Sequence, residues 1–423
     1  MKRYEKYKPT GIQWLPEIPE HWKVQRFGSL FKRKVVANDP SKELLSVFLD
    51  RGVIKASESD KRTHQASDDL SKYQLVEPTD FVMNNQQAWR GSVGVSNFIG
   101  IISPAYHLFA MPSCYNPHYA NYLLRDRVMV NLYDMSSKGV GSIQRTLNFN
   151  WLNNGKCILP SITEQNKIVA YLNKRITLIE NCKCHREREL RTLNELKQAE
   201  IASVVTRGLN PDVPMKDSGQ IQFGKVPAHW DTIKLKYCFN QRSEKGFPNE
   251  PVLCATQSKG VIPQSLYENR VVVVNKGFDG LKLVKVGDFV ISLRSFQGGI
   301  EYAYYQGIIS SAYTILTPKD ERNSKYFKYL FKSHPFIQLL QTCVTGIREG
   351  QNINYSVLGN NFIPVPPIEE QNAIVEYIES KTSKIDTMIE ALKAEIDRLT
   401  EYKQRLISDV VTGQIDVRGE QIQ

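Results

Sequence analysis

The chain has 423 residues, 41% of them hydrophobic, which is long enough for two or three domains with substantial cores. It contains no apolar run of about 18 residues and no apolar signal core after its basic N-terminus, which argues against a membrane or secreted protein. Seven scattered cysteines favour a reduced, cytoplasmic setting over a disulfide framework. The net charge of +11 favours a polyanionic partner, with DNA or RNA as first candidates and generic basic solubility as the alternative.

Each half of the chain opens with the same short motif and then repeats further phrases at an offset of 206 to 208 residues. The matched pairs are Ile-Pro-Glu-His-Trp at 18–22 with Val-Pro-Ala-His-Trp at 226–230, Asp-Phe-Val at 80–82 and 288–290, and Ile-Ile-Ser-Pro-Ala-Tyr at 101–106 with Ile-Ile-Ser-Ser-Ala-Tyr at 308–313. Between these anchors the two copies diverge. This pattern predicts one scaffold that carries two different recognition surfaces.

The globular part of each copy is predicted to be α+β. Short apolar or alternating runs typical of strands lie at 271–274, 288–293 and 302–316, and glycine-rich turns lie at 91–94 and 298–299. Helix-like segments follow at 117–132 and 324–341. Residues 209–220 have the Pro, Gly, Asp and Ser content of a linker.

Polar clusters in the divergent inserts are the candidate base-reading surfaces. Residues 84–90 read Asn-Asn-Gln-Gln-Ala-Trp-Arg in the first copy, where the second has Ser-Leu-Arg-Ser-Phe-Gln at 292–297. Two glycine-punctuated loops, 137–145 and 345–353, also carry arginine and carboxamide side chains, which hold phosphates and read base edges. The alternative is that these are only solvated turns. The predicted DNA-contacting residues are Asn84, Asn85, Gln86, Gln87, Arg90, Lys138, Gln144, Arg145, Arg294, Gln297, Arg348, Gln351 and Asn352.

No catalytic or metal-binding pattern stands out. The chain has no glycine-rich phosphate loop, no dinucleotide fingerprint and no His-Glu-x-x-His motif. Cys182, Cys184 and His185 lie on a predicted helix without a second ligand pair, so a metal site is not expected there. The repeated His-Trp pairs at 21–22 and 229–230 are interpreted as packing anchors, since no repeated Ser, Cys or carboxylate partner for the histidines is identifiable in the sequence.

Two long stretches, 162–206 and 368–412, have the periodicity of amphipathic helices. Neither contains Gly or Pro, and each is followed by a glycine stop at Gly208 or Gly413. The later stretch carries a regular apolar stripe that includes Met388; the earlier stripe includes Leu196 and is interrupted by Cys182 and Arg186. A helix of this length spans about 60 Å and cannot bury its stripe alone, so the two are expected to pack along each other. The alternative is that they are ordinary bundle helices inside a larger core.

The charge is distributed unevenly between these helices and the rest of the chain. Residues 163–207 hold nine Lys/Arg and six Asp/Glu, and residues 369–412 hold six and ten, which gives +3 and −4. The remainder therefore carries about +12. This places the predicted polyanion contacts on the globular parts.

The phrases that open the long helices are the most specific signals. Leu-Pro-Ser-Ile-Thr-Glu-Gln-Asn-Lys-Ile-Val at 159–169 matches Val-Pro-Pro-Ile-Glu-Glu-Gln-Asn-Ala-Ile-Val at 365–375. With the repeated Pro-x-His-Trp, this arrangement resembles the DNA specificity subunit of type I restriction-modification systems, over essentially the whole chain. Ser161 replaces one proline of the usual pair.

The resemblance implies an α+β fold with pseudo-twofold symmetry, in which two tandemly repeated target recognition domains are separated by two long antiparallel, coiled-coil-like helices. Each domain would read one half of a split DNA site, and the helices would set the spacing and dock methyltransferase subunits. The implied ranges are an N-terminal segment packing near the C-terminal helix (1–20), target recognition domain 1 (21–161), spacer helix 1 (162–208), a linker (209–220), target recognition domain 2 (221–367), spacer helix 2 (368–412) and a tail (413–423).

The resemblance also implies that the chain is a non-catalytic, cytoplasmic subunit without a cofactor of its own. Its partners would be double-stranded DNA, two adenine methyltransferase subunits and restriction subunits that act as translocase and endonuclease, with no membrane contact. S-adenosylmethionine, ATP and Mg²⁺ are expected on those partners. Two other functional classes remain open at this point. One is an enzyme that acts on nucleic acid by itself, and the other is a coiled-coil scaffold without a DNA role.

Overall fold

A computed structural model describes residues 2–35, 39, 41–58, 70–140, 144–267, 278–320, 324–346 and 352–420. The chain divides into two compact units, one formed by Met1–Arg186 with Glu395–Gln423 and the other by Glu187–Ala394. The ranges predicted as recognition domains, 21–161 and 221–367, fall in different units. Among the described residues, no helix is both long enough and apolar enough to cross a bilayer.

The first unit is built mainly from short antiparallel strands. They are β1 (Tyr7–Ile12), β2 (Leu15–Pro19), β3 (Lys23–Arg26), β4 (Lys32–Lys34), β5 (Leu45–Phe48), β6 (Gly52–Lys55), β7 (Gln74–Val76), β8 (Phe81–Asn84), β9 (Val93–Val95), β10 (Gly100–Ile102), β11 (Tyr106–Ala110), β12 (Ser137–Val140), β13 (Gln144–Leu147) and β14 (Lys156–Leu159). Its helices are α1 (Phe27–Leu30), α2 (Pro117–Arg125), α3 (Arg127–Met135), α4 (Phe149–Asn154) and the first part of α5 (Ile162–Arg207), with 3-10 turns at Ala56–Glu58 and Ala88–Arg90.

The second unit repeats this plan. Its strands are β15 (Met215–Asp217), β16 (Lys225–Pro227), β17 (Asp231–Lys234), β18 (Phe239–Arg242), β19 (Leu253–Thr256), β20 (Gly260–Pro263), β21 (Lys282–Val284), β22 (Phe289–Ile291), β23 (Glu301–Tyr302), β24 (Gly307–Ile309), β25 (Thr314–Pro318), β26 (Val344–Thr345), β27 (Asn352–Ile353) and β28 (Phe362–Val365). Its helices are α6 (Leu235–Cys238), α7 (Ser295–Gly298), α8 (Ser324–Leu330), α9 (His334–Thr342), α10 (Tyr355–Leu358) and the first part of α11 (Ile368–Val411), with 3-10 turns at Gln264–Leu266 and Phe278–Gly280.

A four-stranded antiparallel sheet lies at the centre of each unit. The strand order is β4-β11-β8-β9 in the first and β18-β25-β22-β23 in the second. The middle strand β8 is buried on both faces, because Phe81 and Met83 point into one core and Val82 into another. Phe289, Ile291 and Val290 of β22 divide between two cores in the same way. The repeated phrase Asp-Phe-Val at 80–82 and 288–290 therefore corresponds to equivalent strands of the two sheets.

Each predicted helix-like segment after the sheet is two helices rather than one. In the first unit α2 ends before Asp126, which has extended backbone angles and accepts a hydrogen bond from the Val128 N–H at 2.9 Å as the N-cap of α3. In the second unit α9 begins after the extended Ser333 with Pro335 in its first turn, where proline is tolerated. An aspartate or serine with extended backbone angles thus interrupts the apolar periodicity that predicted continuous helices.

Other local predictions also need correction. The single strand-like run predicted at 302–316 overlaps three separate strands, β23, β24 and β25. The range predicted as a linker contains the strand β15, which pairs with β16 to form a hairpin of the second unit. The strand-like run at 271–274 lies outside the described residues.

The two long helices predicted from the periodicity are confirmed as α5 and α11. Both are followed by a glycine with a left-handed backbone, Gly208 at φ +76° and Gly413 at φ +74°. The helices run antiparallel within each unit. In the first unit Glu180 pairs with Lys403 at 2.7 Å and Arg186 with Glu395 at 3.0 Å.

The second unit pairs the remaining parts of the same helices in the same sense. Lys197 lies 2.5 Å from Asp386, and Tyr377 donates to Glu200 at 2.5 Å. Residues that lie later in α5 again contact residues that lie earlier in α11, as antiparallel helices require. The packing between α5 and α11 is therefore partly ionic in both units.

The apolar stripes predicted for these helices are narrower than expected. Leu196 and Met388 are 52% and 54% exposed, so they lie outside the seam. The half-buried positions on the middle of α5 include Cys182, Arg186, Leu190, Leu193 and Lys197, which follow one another at steps of four, four, three and four. The two residues that interrupted the apolar stripe in the sequence thus belong to the seam, where Arg186 meets an acidic partner.

Candidate nucleic-acid interface

The polar cluster at 84–90 forms a tight turn at the end of β8. The Asn84 side-chain oxygen accepts from the backbone N–H groups of Gln86 and Gln87 at 2.9 and 3.1 Å, which closes the turn. A 3-10 turn follows and ends at Gly91, where φ is +99°. Gln86 and Arg90 are exposed, whereas Asn84 and Gln87 are half-buried. Within this cluster Asn84 shapes the turn, and Gln86 and Arg90 are the side chains open to a ligand.

The hairpin formed by β12 and β13 meets this turn. Asn85 accepts a hydrogen bond from the Leu147 N–H at 3.3 Å, which ties the turn to the base of the hairpin. Arg145, on β13, places its guanidinium 4.8 Å from the centre of the Trp89 ring and pairs with Asp134. Two of the clusters predicted from the sequence are therefore brought together on one surface. Gln144 lies on β13, but its side chain is outside the described part of the structure.

A second aromatic–cation pair extends this surface. Lys138, on β12, lies 5.3 Å from the ring centre of Trp151, which is 48% exposed on α4. We define the basic face of the first unit as Gln86, Trp89, Arg90, Lys138, Arg145 and Trp151. Trp151 is exposed and Trp89 is half-buried, and accessible tryptophan rings beside cations suit stacking and phosphate contacts with a nucleic acid. Trp151 was missed in the sequence because it is separated from the polar clusters by the turn after β13.

The second unit presents different side chains at the equivalent place. Arg294 precedes α7 and Gln297 lies on it, and both are exposed. Asn352, also exposed, lies on β27 and pairs with Thr345 of β26. The turn that follows α7 has Gly299 at φ +84°, matching Gly91 in the first unit. The predicted residues Arg348 and Gln351 lie outside the described residues.

The repeated Pro-x-His-Trp motif holds each domain to the ends of the long helices. Trp22 and Trp230 are fully buried, as the packing interpretation predicts. Each histidine nevertheless has a carboxylate partner: His21 Nε2 lies 2.9 Å from Glu164, and His229 Nε2 lies 2.7 Å from Glu370. A repeated carboxylate partner, which was not identifiable in the sequence, is therefore present in both units.

The partner carboxylates come from the first turns of α5 and α11. Their signal in the sequence was the Glu-Gln pair shared by the two helix-opening phrases, which lies more than 140 residues from the histidines. In the first unit the Tyr4 hydroxyl also donates to Glu164 at 2.7 Å, and burial with this hydrogen bond raises the pKa of Tyr4 above its ordinary value. In the second unit the Trp230 indole donates to Glu370 at 2.9 Å. These contacts are structural anchors at the base of each domain.

Comparisons with known proteins agree with this architecture. Residues 227–398 match the family model described as the type I restriction modification DNA specificity domain. Two specificity subunits of Methanocaldococcus jannaschii are similar to the chain. The putative type I restriction enzyme MjaX specificity subunit is 25% identical over 315 residues, covering 71% of this chain and 69% of the relative. The type I restriction enzyme MjaVIII specificity subunit is 22% identical over 427 residues, covering 95% of both.

A solved structure has the same fold. It comes from work described as the structural basis of complex assembly and conformational transition of the type I R-M system, and it aligns with a TM-score of 0.65 at 15% identity. The alignment covers 94% of this chain and 99% of the other. Together with the duplicated helix-opening phrases and the paired long helices, these matches make the chain similar to specificity subunits of type I restriction-modification systems.

Proposed function

We propose that this chain is the sequence-specific DNA-binding subunit of a type I restriction-modification complex. Each recognition domain reads one half of a bipartite DNA target, and α5 and α11 set the distance between the halves and dock methyltransferase subunits. The observation that carries this proposal is one scaffold used twice with unlike polar surfaces. The turns that close at Gly91 and Gly299 are equivalent, yet one presents Trp89 and Arg90 and the other Arg294 and Gln297.

The charge distribution supports DNA as the ligand of the domains. The long helices are nearly neutral together, at +3 and −4, whereas the remainder of the chain carries about +12. Phosphate contacts from such a surface position the protein on the duplex, and side chains at the ends of strands and on turns read the bases. The helices, with their exposed charged faces, are the surfaces left for protein partners.

Under this proposal the chemistry belongs to partner subunits. Two methyltransferase subunits carry S-adenosylmethionine and methylate adenines, and restriction subunits with ATP and Mg²⁺ translocate and cut DNA. The chain supplies no cofactor-binding residue and selects the site. We place the complex in the cytoplasm, where it meets DNA.

The test is a methylation map. The chain is co-expressed with the methyltransferase subunits of its own host in a strain without adenine methylation, and methylated adenines are located by single-molecule sequencing. We expect one bipartite motif with a fixed gap. The purified chain alone, incubated with DNA, S-adenosylmethionine, ATP and Mg²⁺, serves as the control. Turnover by the chain alone would contradict the proposal and favour a self-sufficient enzyme.

Separate readout by the two domains is tested by exchange of the inserts. Replacing residues 84–90 by their counterparts from 292–298 is expected to alter one half of the methylated motif and leave the other half unchanged. The reciprocal exchange is the matched control and should alter the opposite half. A map in which either exchange changes both halves would count against independent recognition domains. If the wild-type complex showed no salt-dependent binding to DNA, the result would favour a scaffold without a DNA role.

A further inference from the structure

We propose that Arg90 is the side chain with which the first recognition domain reads a guanine base. This inference rests on the proposed function and adds to it the identity of one reading residue and of the base it selects. The argument depends on three features of the basic face: how Arg90 is held, which of its hydrogen-bond donors are free, and what replaces it in the second unit.

Arg90 is held over an indole that is itself fixed. The Trp89 ring donates from Nε1 to the Gln86 carbonyl oxygen at 2.9 Å, within the turn closed by Asn84. The Arg90 guanidinium lies 4.7 Å from the ring centre, within the range of a cation–π contact. Because such a contact is not a hydrogen bond, it leaves the N–H groups of the guanidinium available to a ligand. The arginine is therefore oriented before any ligand arrives.

Arg90 differs from Arg145, which lies over the same indole. The Arg145 guanidinium is paired with the Asp134 carboxylate, so part of its donor edge is occupied and its charge is compensated. Among the residues that the structure describes, the Arg90 guanidinium has no hydrogen bond and no ion pair. We therefore assign Arg145 the role of positioning Trp89. Arg90 is the residue that we assign to ligand contact.

The free donor edge fits one base better than the others. An arginine fork donates two parallel hydrogen bonds to O6 and N7 of guanine in the major groove, which is the commonest specific contact between arginine and DNA. Adenine offers a donor in place of O6, and thymine and cytosine offer no such acceptor pair. Lysine keeps the charge of arginine but lacks the planar fork.

The second unit has no equivalent arginine. Counting back from the turn glycines, Arg90 corresponds to Gly298 and Trp89 to Gln297. A Cβ atom added at Gly298 would lie 3.0 Å from the Gln257 side chain, so Gln257 occupies the space beside this position. The pairing of a reading arginine with an indole, as in Arg90 and Trp89, is thus expected in only one half of the bipartite target.

The experiment uses the complete complex of this chain with its methyltransferase subunits. Arg90→Lys and Arg90→Gln are compared with the wild type by methylation mapping and by binding to duplexes that carry the mapped site. Each guanine of the site is replaced in turn by 7-deazaguanine, which lacks the N7 acceptor. Arg51→Gln is the matched control, because Arg51 also lies over an aromatic ring, Phe48 at 5.2 Å, in the same unit but outside the basic face.

We expect both Arg90 variants to relax the motif at a single guanine of one half-site and to lose roughly ten- to hundredfold in affinity for the wild-type site. The wild type and Arg51→Gln should be sensitive to 7-deazaguanine at that position, and the Arg90 variants should not be. Lys138→Ala should instead weaken binding to all duplexes alike.

Two results would overturn the assignment. One is an Arg90 variant whose motif equals that of the wild type; the other is a loss of affinity that is the same on every duplex, as a phosphate contact produces. Because Arg90 is exposed, its variants are expected to fold, and circular dichroism of the complex checks this. A wild-type complex that yields no bipartite motif would refute the proposed function itself, whereas a bipartite motif unchanged by Arg90 substitution refutes only this inference.

Discussion

Single glycines at the residue scale decide how the long helices end. Gly413 has φ +74°, and a Cβ atom there would lie 2.5 Å from Pro19 and 3.0 Å from Trp22. The helix stop and the Pro-x-His-Trp motif of the first unit are therefore in direct contact. Any larger residue at this position meets both a strained backbone and a packed tryptophan.

We expect Gly413→Ala to destabilise the first unit by about 2 kcal/mol or more, because overpacking adds to the backbone penalty of about 1 kcal/mol. Gly11→Ala is the matched control. Gly11 has a similar φ of +68° in the same unit, but its Cβ would meet only the end of the exposed Lys156 side chain and no buried ring. Thermal unfolding of both variants measures the difference. Equal losses of stability in the two variants would show that the packing of Gly413 against Trp22 does not contribute to the effect.

Glu164, with its buried carboxylate, is a second residue on which the stability of the first unit depends. Its side chain is 5% exposed and bonds both Tyr4 and His21. We expect Glu164→Ala to cost about 2 kcal/mol, because two polar partners lose their acceptor. Glu180→Ala removes an ion pair whose carboxylate is 45% exposed and should cost less than about 1 kcal/mol. Chemical denaturation that ranked the two in reverse order would contradict this reading.

At the scale of elements, the α5–α11 seam combines apolar residues with ion pairs. Arg186–Glu395 lies at the point on both helices where the chain divides into its two units. Ion pairs in such a seam fix register more than they add stability. The seam is therefore suited to holding one alignment of the two helices.

An insertion in the long helices tests their proposed spacing role. Four residues add about one turn and 6 Å, so placing four after Arg186 and four after Ala394 should widen the tolerated gap by about two base pairs at roughly 3.4 Å each. Two-residue insertions at the same points are the control, since they rotate the following residues by about 200° and separate the seam. Methylation mapping gives the gap directly. A gap unchanged by the four-residue insertion would refute the ruler role.

At the scale of the whole molecule, the two units are expected to respond to acid in opposite directions. His107 in the first unit is buried against Phe149, and burial lowers its pKa to about 4. Glu301 in the second unit is buried beside Lys332, and burial raises its pKa to about 7 despite the lysine at 2.6 Å.

The sign of each change in stability with pH depends on whether the folded or the unfolded state binds more protons. Between pH 6.5 and 4 the unfolded chain protonates His107 and the folded unit does not, so the first unit loses stability as pH falls through that window. Between pH 7 and 4.5 the folded unit protonates Glu301 first, so that group's contribution to the second unit increases as pH falls and is lost as pH rises through 7.

Hydrogen exchange read by mass spectrometry separates the two units. Protection of the first unit should fall from pH 7 to 5, after correction for intrinsic exchange, while that of the second is retained or increased. His107→Leu should reduce the pH dependence in the first unit only, and Glu301→Gln in the second only. A pH dependence in the first unit that His107→Leu leaves unchanged would show that other groups control it.

Features of this protein that depend on local pattern were predictable from the order of its residues alone. The length and ends of α5 and α11 follow from apolar periodicity and the glycine stops at Gly208 and Gly413, because helix formation is governed by residues three to four positions apart. The duplication is equally visible, since matched phrases sit at nearly constant offset. The equivalent four-stranded sheets are the structural result of that repeat.

Contacts between residues that are distant in the chain became known from the folded structure alone. His21 and Glu164, Trp89 and Arg145, and Gly413 and Trp22 are separated by tens to hundreds of positions, and no periodicity along the chain relates one to the other. Their contacts arise because helices and strands pack as whole elements to bury apolar surface, and the side chains that then face each other depend on that packing. For this reason the polar cluster at 84–90 could be found in the sequence, whereas the free donor edge of Arg90 could not.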